Sequence, residues 1–392
     1  MPKIRPLLFL DAWRGIAALW VVMTHACIAF LATGDNLRFL HSPLYAVSAR
    51  GQLGVALFFV ISGYCIMGAA YAALASGRGV MGYGFDRLRR IYPPYFAACV
   101  LMLAIGFLTG FAQSRHLLPA PHHHPDHSTW NRPQFWLANA LLLQAEWNQP
   151  TLLLVAWSLC YEIYFYGLIG VMLFFAQVFA RGRDLTAGLP VFRFGISALM
   201  LLSLFWLILS PATCPFPLDR WYQFGLGSLL FLAGPDKSPL AGWHGRVQLC
   251  LALFFILIFA IRHDLSASPG GLVHHFVLGQ PSTREQAITC LLFTCVLWLL
   301  RPWDEHLARH RFLRPLLWTG AISYSIYLIH PLVMPFADES GRLLGFDRNW
   351  YGVTYFAQIA VALFAGWLFH LAIERHFISS RQKRRVAEEL KK

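Results

Sequence analysis

Charge is what this 392-residue sequence has least of. Asp, Glu, Lys and Arg together make up 13% of it, about half their share in soluble domains. No polar block separates the apolar segments from one end of the chain to the other. That excludes a disordered chain, a coiled coil and a nucleic-acid-binding domain with a polar surface, and it argues against an ordinary soluble enzyme. Several motifs are also missing: a Gly-rich phosphate loop, a GxSxG elbow, a zincin helix, an internal repeat and an inverted pair of broken helices. The eight cysteines show no CxxC and no Cys/His ligand spacing. Seven sit in apolar runs, so they are expected as small buried hydrophobes, with no disulfide framework.

What is present is apolar: 57% of residues are hydrophobic and mean hydropathy is +0.52. Runs of about 20 apolar residues cross a bilayer as helices. The runs predict ten spans, at 7–31, 52–75, 92–112, 151–180, 193–211, 221–234, 247–262, 286–300, 316–336 and 352–373. The stretch 135–146 is apolar but too short to cross, and is expected as an interfacial or re-entrant piece. The first run resembles a signal peptide, yet it is too long and too polar for a cleaved segment.

The net charge of +13 fits loops facing an anionic leaflet better than a nucleic-acid surface. With ten spans and both ends inside, 22 Lys and Arg fall in inner segments and 9 in outer ones. That is the asymmetry of an N-in, C-in protein. The expected fold is therefore an all-α membrane protein, a single bundle of about ten transmembrane helices over 1–374. Residues 375–392 form a basic cytoplasmic tail, and both termini are cytoplasmic.

Charges inside apolar spans are costly and point to function. Asp11, Arg14 and His25 share one helical stripe in the first span. Arg14 and His25 are eleven residues apart, about 20° past three full turns with a rise of about 16 Å. Asp11 lies one turn before Arg14 and can pair with it. Gly15, Ala17 and Ala18 permit close approach by a ligand or another helix. Glu162 is the acid deepest in any later span and requires a partner, His25 or Arg14. A Glu–His pair would orient the imidazole as a base. Arg87, Arg89 and Arg90 form a cytoplasmic loop before Pro93 and Pro94, suited either to phosphate binding or to ordinary positive-inside anchoring. Trp157, Ser158, Tyr161, Ser323, Tyr324, Tyr327 and His330 are possible cavity-lining residues. Glu374 beside Arg375 suggests exposed pairing. The contiguous HHHPDH at 122–127 lacks ligand spacing, so no metal site is expected.

Five strings occur in the order and spacing of the acyltransferase-3 family, which this chain resembles over nearly its whole length: LDAWRGIAALWVVMTHA, LGVALFFVISGYCI, FDRLRRIYPPY, WSLCYEIYFYG and SYSIYLIHP. The resemblance implies a bacterial inner-membrane O-acyltransferase of the stand-alone type, without an appended esterase-like domain. It would take an acyl group, commonly acetyl, from cytoplasmic acyl-CoA as co-substrate and pass it to a hydroxyl, often on a lipid-linked or cell-surface saccharide. No bound cofactor is implied. The family's first-span Arg and His match Arg14 and His25, and its Glu motif matches Glu162. Its basic motif often has two Arg four apart. Arg90 fits the second, but Asp86 stands at the first, with Arg87 beside it. On this reading the donor phosphates lie near Arg87, Arg89 and Arg90. His25, oriented by Glu162, takes the hydroxyl proton, and Arg14 meets the donor arm or the oxyanion. The rival class is a transporter of a lipid-linked saccharide using the same buried groups as a relay. The absence of repeats and of broken spans argues against it.

Overall fold

A helix whose surface is apolar all round can only be buried in protein or in lipid, and the computed structural model uses both options. The structure describes residues 7–31, 42–115, 130–180, 188–210, 213–234, 239–264, 281–343 and 351–378. Among these, all regular structure is helical. The principal helices are α1 (Leu10–Leu31), α2 (Pro43–Ser48), α3 (Leu53–Ala75), α4 (Gly79–Ser114), α5 (Pro133–Leu141), α6 (Ala156–Phe179) and α7 (Leu189–Leu209). They continue as α8 (Leu218–Leu232), α9 (Pro239–Asp264), α10 (Thr283–Leu300), α11 (Asp304–Arg309), α12 (Arg314–Ala321), α13 (Ser323–Leu343) and α14 (Tyr351–Ala372). The HHHPDH stretch at 122–127 and tail residues 379–392 lie outside the described residues.

Each of the ten expected spans coincides with a helix, but not each helix has the dimensions of a span. Among the described residues, seven are long and apolar enough to cross a membrane, or eight if the bent pair α12–α13, angled by 68°, is one span. α1, at 22 residues, has the length of a span but is not among them, and α8 is too short. α8 has 15 residues, about 22 Å of rise against about 30 Å of hydrocarbon. Every residue from Trp221 to Leu232 is buried, so α8 is an interior helix walled by others. α1 carries the charged stripe and is likewise mostly enclosed. Apolar runs report burial, and burial in protein and burial in lipid look alike in sequence.

Glycine contacts hold this interior together. A Cβ on Gly15 would collide with the Leu316 carbonyl of α12, and one on Gly320 with the Asp11 carbonyl of α1. On another side of α1, a Cβ on Gly54 of α3 would come within 2.6 Å of the Ala17 carbonyl. Gly63 of α3 and Gly227 of α8 meet the carbonyls of Phe224 and Val60 in a reciprocal pair. The row α12–α1–α3–α8 is thus a backbone-to-backbone spine, the close approach small residues give to helices in lipid. Gly15, expected to admit a ligand or a helix, admits a helix.

One departure from expectation and one expected feature matter for the site. The arginine-rich segment is not a loop: α4 runs without interruption through Pro93 and Pro94. Its 36 residues rise about 54 Å, so its first turns extend well beyond a bilayer's hydrocarbon and carry the arginines in helical order. The short stretch at 135–146 does not cross. α5 ends at Leu142 in a left-handed conformation with φ 56°. Buried Asn139 then ties the turn down, donating to the carbonyls of Phe135 and Pro150 (3.0 Å each) and accepting from the Leu152 amide at 2.7 Å.

Gly320→Val should lower stability by about 1–3 kcal/mol or more, because the added atoms meet backbone that cannot move aside. Gly170→Ala, whose Cβ meets nothing closer than 3.7 Å, should melt as wild type does. Fluorescence-detected gel filtration after heating, in detergent, reads both.

Candidate active site

Asp11 and Arg14 lie one turn apart on α1, and the structure pairs them, Nη1 to Oδ1 at 3.0 Å, with their side chains 11% and 13% exposed. Nη2 of Arg14 also donates to the Cys65 sulfur of α3 at 3.2 Å. Cys65 is therefore a polar partner of the guanidinium and not the inert hydrophobe expected. The other cysteines are free thiols too, four of the eight buried and Cys250 exposed.

Arg14 reaches an open cavity of about 620 Å³ between α1, α3, α4, α6 and α13. Arg90, Ser158, Glu162, Ser323, Tyr324 and Tyr327 share its wall with apolar Val55, Phe58 and Phe59. Glu162 does not pair with His25. Its Oε1 accepts from the Tyr166 hydroxyl at 2.6 Å, one turn on along α6, and from Ser62 at 3.5 Å. A partner on the carboxylate's own helix is available without any tertiary adjustment, and it holds Glu162 at the level of Arg14. Tyr324 donates to the Ile91 carbonyl of α4 at 2.9 Å, closing that side of the cavity. The hydroxyls of Ser158 and Tyr327 lie 2.7 Å apart, and both reach the Val155 carbonyl.

The three arginines of α4 are split. Arg90 lines the cavity. Arg87, one turn earlier, has a buried Nε without a hydrogen-bond partner. Arg89, rotated by about 100° from each neighbour in helical order, is exposed. Asp86 is bound to Arg78 at 2.9 Å.

His25 has a different partner from the one expected. Its ring packs edge-on to that of His330, centroids 4.8 Å apart, with His25 Nδ1 and His330 Nε2 separated by 3.3 Å. His25 Nδ1 also faces the Val21 carbonyl at 2.9 Å, and His330 Nδ1 the Ile326 carbonyl at 3.0 Å. A carbonyl oxygen only accepts, so this network assigns a hydrogen to each Nδ1. His330 Nε2 then accepts from His25, and Nε2 of His25 keeps its lone pair. His330 is fully buried and does not line the cavity. The Tyr327 ring, 6.0 Å from that of His330, stands between them.

Trp157 and Tyr161 also stand apart from the cavity. They occupy the neighbouring face of α6, where the Arg220 guanidinium lies over both rings at 5.1 and 5.6 Å. Tyr161 donates to Asp219 at 2.8 Å and Arg220 to Gln286 at 2.6 Å. Glu374 is buried, not exposed. It accepts from Ser325 at 2.6 Å and meets His370 at 2.8 Å. Sequence reasoning missed Tyr166, Ser62, Cys65 and the His25–His330 pairing. The i+4 spacing of Glu162 and Tyr166 was a readable signal for the first. Contacts across 51 to 305 residues carry no such signal.

Among the described residues no cluster of three His, Cys, Asp or Glu could hold a metal ion. The cavity instead combines two arginines, one carboxylate and hydroxyls on apolar walls, a chemistry suited to an anionic ligand with an apolar arm. Removing one member of the Asp11–Arg14 pair leaves a charge buried without it. Arg14→Met should cost about 3–5 kcal/mol, and the double variant with Asp11→Asn should recover a large part of it. Melting of the two singles and the double in one cycle measures the coupling.

Comparison with known proteins gives the family. The chain is 24% identical over 414 aligned positions to Acyltransferase MdmB of Streptomyces mycarofaciens, an alignment spanning 95% of this chain and 92% of that protein. No solved structure matches. A family model described as an acyltransferase domain matches residues 7–373. The helical bundle, the apolar spans and that match over nearly the whole length place the chain in the acyltransferase-3 family of membrane acyltransferases.

Proposed function

We propose that this protein is an O-acyltransferase of a bacterial inner membrane, moving an acetyl group from cytoplasmic acetyl-CoA to a saccharide hydroxyl, with both termini cytoplasmic. The supporting observation is one arrangement. A cavity bearing Arg14, Arg90 and Glu162 ends at Tyr327, and the ring of Tyr327 abuts a histidine pair that leaves one imidazole lone pair free.

Arg90, with Arg87 one turn away, binds the donor's phosphates at the end of the cavity where α4 projects furthest. Arg14, held by Asp11, grips the donor between the phosphates and the thioester. It does not serve the oxyanion, because a rise of about 16 Å along α1 separates it from His25. Nε2 of His25 takes the proton of the acceptor hydroxyl while its oxygen attacks the thioester carbon. The C–S bond breaks, CoA leaves as thiolate, and the proton returns to that sulfur. His330 accepts from His25 Nδ1–H, which fixes the tautomer that leaves Nε2 basic. Charge developing on His25 is thereby shared with a second imidazole, a role expected of Glu162 from sequence. Glu162, bonded to Tyr166, shapes the donor cavity instead.

The test uses purified protein in nanodiscs with radiolabelled acetyl-CoA, following CoA release. His25→Ala should abolish release while retaining donor binding. His330→Phe should reduce it at least 10-fold by freeing the ring of His25. Arg90→Ala should raise KM for the donor about 10-fold, and Arg89→Ala should leave KM unchanged. Wild-type release by His25→Ala would overturn the assignment.

A further inference from the structure

When an acceptor oxygen adds to a thioester carbon, negative charge passes to the carbonyl oxygen, which then needs a hydrogen-bond donor. Arg14 is three turns of α1 away from His25 and does not reach that point. Four hydroxyl side chains besides Tyr327 stand on the cavity wall. Two of them, at the arginine end, are engaged: Ser62 donates to Glu162 at 3.5 Å, and Tyr324 to the Ile91 carbonyl at 2.9 Å. Ser323 lies about 10 Å of rise before His330 on α13. That leaves Ser158 of α6, bonded to Tyr327 itself. Tyr327 precedes His330 by a rise of only about 4.5 Å, and the two ring centroids are 6.0 Å apart.

Ser158, Tyr327 and one backbone carbonyl form a closed group. The two hydroxyl oxygens are 2.7 Å apart, and the Val155 carbonyl lies 3.1 Å from the serine and 3.3 Å from the tyrosine. Two protons thus serve three oxygens. They cannot both point at the carbonyl, because the hydroxyl oxygens would then oppose lone pairs at 2.7 Å. One hydroxyl donates to the carbonyl and the other to its neighbour. The Ser158 bond closes within the first turn of α6, so the tyrosine proton is the one that can turn away. Redirected into the cavity, it orphans nothing, since Ser158 keeps the Val155 carbonyl. Phe58, its ring 6.0 Å from that of Tyr327, and Val55 give this end of the cavity an apolar wall. Such surroundings strengthen a hydrogen bond to charge.

We propose that Tyr327 is a catalytic residue, whose hydroxyl binds the donor's carbonyl oxygen and stabilises the oxyanion formed on it. This rests on the reading of the cavity as the donor site and of His25 as the base. As the acceptor oxygen bonds to the carbonyl carbon, the C=O π electrons move onto oxygen. Tyr327 donates a hydrogen bond to that oxygen and keeps its proton throughout. The C=O bond then re-forms, the C–S bond breaks, and its electrons leave with the CoA sulfur. The tyrosine hydroxyl swings back to Ser158.

The experiment compares wild type with Tyr327→Phe and Ser158→Ala in nanodiscs. It measures CoA release from acetyl-CoA and the carbonyl infrared band of a bound 13C-labelled ketone analogue, in which a methylene replaces the thioester sulfur. Tyr327→Phe keeps the ring and orphans no polar atom, so it should melt as wild type does. Its kcat should fall about 100-fold, with KM for acetyl-CoA changed about 3-fold at most. The labelled band should move to higher frequency in Tyr327→Phe and stay at the wild-type position in Ser158→Ala. Wild-type kcat or an unmoved band in Tyr327→Phe overturns the proposal. So does a raised KM with kcat unchanged, which would make Tyr327 a wall of the cavity and nothing more. A band moved by Ser158→Ala alone would assign the carbonyl to the serine and overturn it too. Failure of the donor reading is distinguishable, because wild type would then neither release CoA nor bind the analogue.

Discussion

The closeness of α1 to its neighbours is the constraint from which the rest of the interior follows. Its backbone is met on one side by α12 through Gly15 and Gly320, and on another by α3 through Gly54. Where backbones touch there is no room for long side chains, so Asp11, Arg14 and His25 are confined to the remaining stripe. That stripe faces the cavity at one level and α13 at another. The reciprocal contact of Gly63 and Gly227 carries the same close packing on to α8. With α1 and α8 enclosed and α3 largely so, helices such as α4, α7 and α9 carry exposed apolar side chains.

An apolar bundle gives a polar side chain few partners, and this one draws them largely from a single turn away. Tyr166 serves Glu162, the carbonyls of Val21 and Ile326 serve His25 and His330, and His370 serves Glu374. Each bond closes within four residues of chain and needs no precise packing. Other polar contacts join different helices, among them Arg14 to Cys65, Ser158 to Tyr327, and His25 to His330. Together they mark a track from the arginine end of the bundle to the histidine pair.

The separation of Arg14 from His25 divides the work of the site. One end has two arginines and an open cavity, features that suit an anionic ligand. The other has a hydrogen-bonded imidazole pair in which Nε2 of His25 is left free. Tyr327 belongs to both, lining the cavity while its ring lies against His330. A reacting carbonyl carried on a long flexible arm can bridge such a division, where a small rigid donor would not.

The sequence by itself determined that the chain is a helical membrane protein, that Asp11 and Arg14 pair, and that Arg14 and His25 share a stripe. Those properties follow from hydropathy and from the fixed pitch of a helix, which act over a few turns. It left the arginines of α4 as either phosphate ligands or ordinary anchors, and helical order rather than a loop decides that Arg90 enters the cavity and Arg89 does not. Tertiary structure alone decided which apolar helices are walled by protein and which face lipid, since hydropathy is the same in both settings. It alone gave His25 its partner, exchanging Glu162 for His330, and it moved Trp157 and Tyr161 away from the cavity to Arg220. Such choices depend on how helices distant in sequence rotate against one another, and a rotation of about 100° per residue leaves no trace in composition or spacing.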